Sequence, residues 1–262
     1  MLISLAGKNA IITGGSRGLG LATASRFVRS GGSVAILARG QADLDTAQAE
    51  LTKQAKTNRS SARVFNYSCD VSIPEQRQAT YDKIKKDLGP IDILVNNAGE
   101  GRPFSFENVD LALWKTDLDQ KLMAAIHFSQ LCWPDMKAKR WGRIINTLNY
   151  FAKAQAANTM PTSVTRAAGL AFTKALAFDG APHNILVNGL LVGSIVSGQI
   201  ERRVPDEEER KKAIIEGGKR IPMGRMGEAE EFANIACFLA SEQASYLTGT
   251  GLNVDGCLGP VA

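Results

Sequence analysis

The sequence predicts an α/β protein: a doubly wound parallel sheet of about seven strands with helices on both faces, three layers in all. Two observations carry this. Short, near-continuous apolar runs alternate with helical segments from one end of the 262 residues to the other, the pattern of strands buried on both faces. A cluster of glycines follows the first apolar run directly, where a strand turns into a helix. No linker, repeat or low-complexity tract interrupts the alternation, so 1–262 is expected to be a single domain.

Asn9–Thr13 is a β-prone run that stops at glycines. Residues 18–30 place Leu19, Ala22, Phe27 and Val28 on one helical face. Ser33–Ala38 is the second buried strand and 42–56 a helix. Residues 63–67 form the third strand, and Pro74–Leu88 is a helix opened by proline. Residues 91–95 are almost wholly apolar and give the fourth strand. A long helix is expected over 111–138, a strand over 143–147, a helix over 162–178 and a strand over 186–191. A polar excursion at about 193–227 follows, with a helix start at Pro205 and the acids after it. Such a long connection suits a lid or binding loop. A helix over 228–240 and a strand over 252–254 complete the chain.

Gly14, Gly18 and Gly20 sit between the first strand and first helix. Gly14 permits a tight turn, Gly18 lets a pyrophosphate approach the backbone, and Gly20 lets the helix pack on the strand. The free N–H groups of the helix start then face phosphate. This is where a Rossmann dinucleotide fingerprint belongs, although the spacing is G-x3-G-x-G rather than G-x-G-x-x-G. The second strand ends at Arg39, where an NAD site usually carries Asp or Glu, and Arg17 lies inside the turn. Two guanidinium groups suit a 2′-phosphate, so NADP(H) is expected over NAD(H).

With those motifs in place the sequence resembles the classical short-chain dehydrogenases/reductases. The resemblance is carried by Thr13-Gly14-x-x-x-Gly18-x-Gly20, Cys69-Asp70-Val71 and Asn96-Asn97-Ala98-Gly99. It continues through Trp114, Gly142-Arg143-Ile144-Ile145-Asn146, Phe172-Thr173-Lys174, Val187-Asn188 and Val254-Asp255-Gly256. It implies that Gly14, Ser16, Arg17, Gly18, Leu19, Gly20 and Arg39 hold the nucleotide. Asp70 and Val71 would meet the adenine, and Asn97, Ala98 and Gly99 would line the site at the end of the fourth strand. Gly193, Ile195 and Ser197 match the stretch that holds the nicotinamide carboxamide, with Val192 in place of its proline. A homotetramer or homodimer packed through the long central helices is implied too, with a small-molecule substrate.

The family's Asn-Ser-Tyr-Lys tetrad is absent. Gap-free counting puts Lys121 in the asparagine slot, Asn149 in the serine slot, Thr162 in the tyrosine slot and Arg166 in the lysine slot. A threonine hydroxyl is a poor proton donor beside a phenol, and arginine does not give up its proton. Three readings stay open. In the first, a rebuilt site transfers hydride with a carbonyl or alcohol substrate. Lys121 donates the proton, its pKa lowered by Arg166, and the two cations favour an anionic substrate. In the second, Tyr150 and Lys153 supply the missing acid. In the third, the chain is a catalytically inactive dinucleotide-binding sensor or structural subunit. Glu100, Arg102, Phe104 and Phe106 are expected to border the same pocket, where Arg102 could meet an anion.

Other classes are set aside by composition. The net charge of +5 is spread along the chain rather than gathered into the basic stripe that nucleic acid requires. The four cysteines form no CxxC pair, and no His/Cys/Asp cluster has metal-ligand spacing. His127 and His183 are expected to be structural or surface residues. No apolar run suits a membrane span, and the first residues do not read as a signal peptide, so a cytoplasmic protein is expected.

Overall fold

The computed structural model describes residues 3–196, 200 and 204–261. Seven strands form one sheet: β1 (Asn9–Thr13), β2 (Ser33–Ala38), β3 (Val64–Ser68), β4 (Ile93–Asn96), β6 (Gly142–Asn149), β8 (Ile185–Val192) and β9 (Gly251–Val254). Their spatial order is β3-β2-β1-β4-β6-β8-β9, and every pairing is parallel. The doubly wound, Rossmann-like fold is thus the one expected. The order reverses between β1 and β4, and a crevice opens beyond the carboxyl ends of those two strands. Two short strands, β5 (Pro103–Phe104) and β7 (Met160–Pro161), pair antiparallel outside this sheet.

Successive side chains of a strand point to opposite faces, and the core divides accordingly. Ile12 and Ile36 join Phe27 of α1 (Gly18–Arg29), Leu44 of α2 (Gln41–Thr57) and Phe232 of α8 (Ala229–Leu239) on one face. Ile11 and Leu37 join Ile84 of α3 (Pro74–Leu88), Phe128 of α5 (Ala124–Lys139) and Ala177 of α6 (Thr162–Gly180) on the other.

The long helix expected over 111–138 is broken. It consists of α4 (Leu111–Leu118), a π-helical turn at Asp119–Met123, and α5. The wide turn carries Lys121 into the interior, where 6% of it is exposed; such turns recur at functional sites. The 193–227 excursion contains α7 (Glu207–Gly218), capped by Asp206, whose carboxylate accepts from the Glu209 N–H. Its two ends are tied at the base, where Val196 N–H donates to Gly227 O and Gly227 N–H donates to Ser194 O. No helix among the described residues is long and apolar enough to cross a membrane.

Candidate active site

β1 delivers the chain to the glycine turn, and β4 clamps it. The Asn97 side-chain amide donates to Thr13 O at 3.0 Å and to Gly14 O at 3.2 Å, while Asn97 and Ala98 N–H donate to Thr13 Oγ1. Gly14 and Gly18 both take positive φ, +67° and +53°, which β-carbon-bearing residues rarely adopt. Gly20 lies beneath the turn. A Cβ there would stand 2.1 Å from the Gly14 carbonyl oxygen, so only glycine fits.

A cavity of about 550 Å³ opens over this turn. Gly14, Ser16, Arg17, Gly18 and Leu19 line one end together with Arg39. Asp70 and Val71 line it beyond β3, and Asn97, Ala98 and Gly99 beyond β4. Asn149, Thr162 and Arg166 lie along it with Gly193 and Ile195. Ser197 falls outside the described residues. Arg17 and Arg39 share one cavity, but Arg17 also pairs with Asp43 at 2.5 Å on the exposed rim. Asp70 Oδ1 accepts from the Ser72 N–H and hydroxyl. Burial alone would raise the Asp70 carboxyl, yet these bonds outweigh it and keep the group below its ordinary range.

Lys121, Thr162 and Arg166 come together, and Asn149 lines the same cavity as Thr162 and Arg166. Thr162 and Arg166 are one turn apart on α6, on one face. Arg166 is 8% exposed and donates to Thr147 O at 2.6 Å, which fixes it under the end of β6. Lys121 donates to Thr162 Oγ1 at 3.0 Å. Gly99, with φ +144°, leaves room for both cations: a Cβ there would meet Lys121 Cγ at 2.9 Å and an Arg166 guanidinium nitrogen at 3.2 Å. Burial, then the charge of Arg166, pushes the Lys121 pKa down to about 8 against the opposing pull of Asp117. Burial likewise lowers Arg166, to about 10, with Asp117 opposing.

Sequence reasoning missed Asp117. Its carboxylate is fully buried, 2.5 Å from Lys121 Nζ, and its other oxygen accepts from the Thr165 hydroxyl at 2.7 Å. The i,i+4 spacing from Asp117 to Lys121 was the available signal, but on an unbroken helix that spacing reads as an ordinary surface pair. A single buried carboxylate thus stands between two buried cations. The surplus of one positive charge sits under the cavity, where low dielectric strengthens its field.

Tyr150 and Lys153 are placed otherwise. Lys153 Nζ is bound to Gly251 O and Asn253 Oδ1 of β9. Tyr150 lies against Phe151, ring centres 4.2 Å apart, and burial with the nearby charge of Asp255 raises its phenol pKa. Neither residue is among the described residues that line the cavity. Arg102 contributes its backbone N–H to Thr162 Oγ1 at 2.9 Å, and its guanidinium lies 3.9 Å from Glu100. Phe104 and Phe106 are exposed. His127 accepts at Nδ1 from the buried Arg77, and burial with that charge lowers its pKa. No cluster of His, Cys, Asp or Glu among the described residues could hold a metal.

Residues 14–258 match the family model described as Enoyl-(Acyl carrier protein) reductase. The chain is 32% identical over 247 residues to the acetoacetyl-CoA reductase of Shinella zoogloeoides, with 94% of this chain and 96% of that protein covered. Its structure is similar to L-sorbose reductase from Gluconobacter frateurii complexed with NADPH and L-sorbose: TM-score 0.92, 30% identity, 100% of both chains covered. It is similar also to the NADPH-bound structure of a short chain oxidoreductase from Pseudomonas aeruginosa PAO1 described as containing an atypical catalytic center: TM-score 0.90, 33% identity, 99% of each chain.

Proposed function

The chain belongs to the short-chain dehydrogenase/reductase family, and from that premise we propose that it is an NADP(H)-dependent oxidoreductase interconverting a carbonyl and an alcohol through a non-standard catalytic centre. The residues present fit the cofactor. The turn lacks a Cβ where a pyrophosphate would press, and Arg17 and Arg39 share the cavity end that would take a 2′-phosphate. Asp70 and Val71 would meet the adenine, and Gly193 and Ile195, with Ser197, the carboxamide. The 193–227 excursion would close over the substrate. Exposed Val164 and Phe178 on α6 support the implied self-association as a dimer or tetramer.

When bound, NADPH supplies the hydride. The protein supplies the proton and holds the oxygen that receives it. The carrying observation is the buried hydrogen bond from Lys121 to Thr162 beside Arg166, at the cavity wall. Lys121, with a pKa near 8, can give up a proton close to neutrality. Arg166 stays charged and stabilises negative charge developing on the substrate oxygen, or holds the nicotinamide ribose. Asn149 lines the same wall and would orient the carbonyl. A relative described as having an atypical catalytic center is independent support for departure from the tetrad. The surplus positive charge favours an anionic substrate.

The test is NADPH oxidation across a panel of ketones, quinones and imines, with and without carboxylate or phosphate groups. Turnover of at least one carbonyl is expected. Lys121→Met should then lose about 100-fold or more in kcat while NADPH affinity, read by fluorescence, is kept. Undiminished turnover in that variant would sink the assignment of Lys121. A protein that binds NADPH but is inert across the panel would point instead to a dinucleotide-binding sensor.

A further inference from the structure

We propose that the Thr162 hydroxyl is the last donor in a two-proton relay, handing its own proton to the substrate oxygen while taking one from Lys121. The inference rests on the oxidoreductase reading above and concerns how that site moves its proton.

A threonine hydroxyl has one proton and two lone pairs. Thr162 Oγ1 accepts from Lys121 Nζ at 3.0 Å and from Arg102 N–H at 2.9 Å. A backbone N–H can only donate, and so can an ammonium. Both lone pairs are therefore committed, and the hydroxyl proton is left over. No acceptor for it is found among the described residues, and Thr162 lines the cavity. Lys121 is not among the residues lining that cavity: its side chain is 1% exposed and lies behind Gly99. The lysine thus holds the mobile proton and the threonine holds the door. A free alcohol is too weak an acid to protonate a ketone alone, but it need not end up charged if its oxygen is reprotonated in the same step.

The carbonyl carbon takes up the hydride, and the C=O π pair moves onto oxygen. That oxygen bonds to the Thr162 proton as the Thr162 O–H breaks. Thr162 Oγ1 bonds to a Lys121 proton as that N–H breaks, leaving Lys121 a neutral amine, which regains a proton between turnovers from solvent in the cavity by way of the Thr162 hydroxyl. The charged groups facing Lys121 set how readily it gives way. Arg166 on α6 and Arg102 on the β4–β5 connection push toward the neutral amine, and Asp117 on α4 holds the ammonium in place.

Thr162→Val is nearly isosteric and keeps the packing, whereas Thr162→Ser keeps the hydroxyl. In single-turnover NADPH oxidation with the best carbonyl of the panel, Val should lose about 100-fold or more and Ser should stay within about 10-fold of the parent. NADPH affinity should be unchanged in both. The Val and Lys121→Met losses should not add, because each breaks the same relay. In ¹³Cε-lysine NMR, the Lys121 midpoint should move acidward in Val, which removes an acceptor of the ammonium, and return in Ser. A Val variant within a few-fold of the parent, additive losses, or an unmoved Lys121 midpoint would each overturn the relay. An active parent with an active Val variant overturns the relay alone; a parent inert across the panel overturns the oxidoreductase reading itself.

Discussion

Arg39 stands at the end of β2 and shares its cavity end with Arg17, whose guanidinium is already paired with Asp43. The two arginines are therefore unequal. A phosphate reaching Arg17 displaces or shares an exposed ion pair worth at most about 1 kcal/mol, while Arg39 has no ion pair among the described residues. Arg39→Asp should lower kcat/KM for NADPH about 10- to 100-fold, the worth of a charge-assisted bond, with a smaller or opposite change for NADH. Steady-state kinetics with both cofactors checks this. At this scale the sequence was readable wherever a residue's place follows from a motif, as for Arg39, Thr162 and Arg166, which all line the cavity. It was silent about Asp117. An aspartate four residues before a lysine has the same appearance on a wet helix face as in a dry interior, and only burial tells them apart. Asp117→Asn would leave Lys121 and Arg166 as uncompensated buried cations and should cost about 3–5 kcal/mol of stability, measured by denaturant unfolding.

Among the elements, strands with uninterrupted apolar runs were legible almost to the residue, because burial on both faces leaves little choice of composition. The ends were less so. β6 runs on to Asn149 because β8 pairs with it over its whole length, down to Asn149 beside Val192, and pairing is not a local property. β5 and β7 are two residues each, too short to carry any periodicity. The π turn at Asp119–Met123 was invisible, since its residues are ordinary helix formers and nothing in their pattern marks Lys121 as interior. The glycine turn was the most legible element, and its tolerance is correspondingly small. Gly20→Ala sets a methyl group 2.1 Å from the Gly14 carbonyl. It should cost about 1–3 kcal/mol and abolish detectable NADPH binding in a fluorescence titration, because the turn and α1 cannot both stay in place.

For the molecule as a whole, the order reversal between β1 and β4 lets one cavity run from the glycine turn to Thr162 and Arg166 beyond a single sheet. The buried lysine also leaves a mark on global stability. Its folded pKa is near 8, against 10.5 ordinarily. Between those values the unfolded chain carries one more proton than the folded one. Stability must therefore rise with pH across about 8 to 10.5 on account of this group, and the benefit is absent below pH 8. Half-buried Tyr67 and buried Tyr81, whose phenols are raised, act in the opposite sense at the alkaline end. The difference between parent and Lys121→Met isolates the lysine. It should slope by up to about 1.4 kcal/mol per pH unit, read from urea midpoints at pH 8, 9 and 10; a flat difference would refute the buried, easily neutralised lysine.

The pair formed by Asp117 and Lys121 also constrains how such a chain can be inherited. Without Asp117, a lysine arriving at that dry position has no counter-charge among the described residues, whereas an aspartate arriving first already has the Thr165 hydroxyl to hold it. The viable order of replacement is aspartate before lysine. A descendant that loses either must lose both, or find another partner, so the two positions are expected to change together across related lineages.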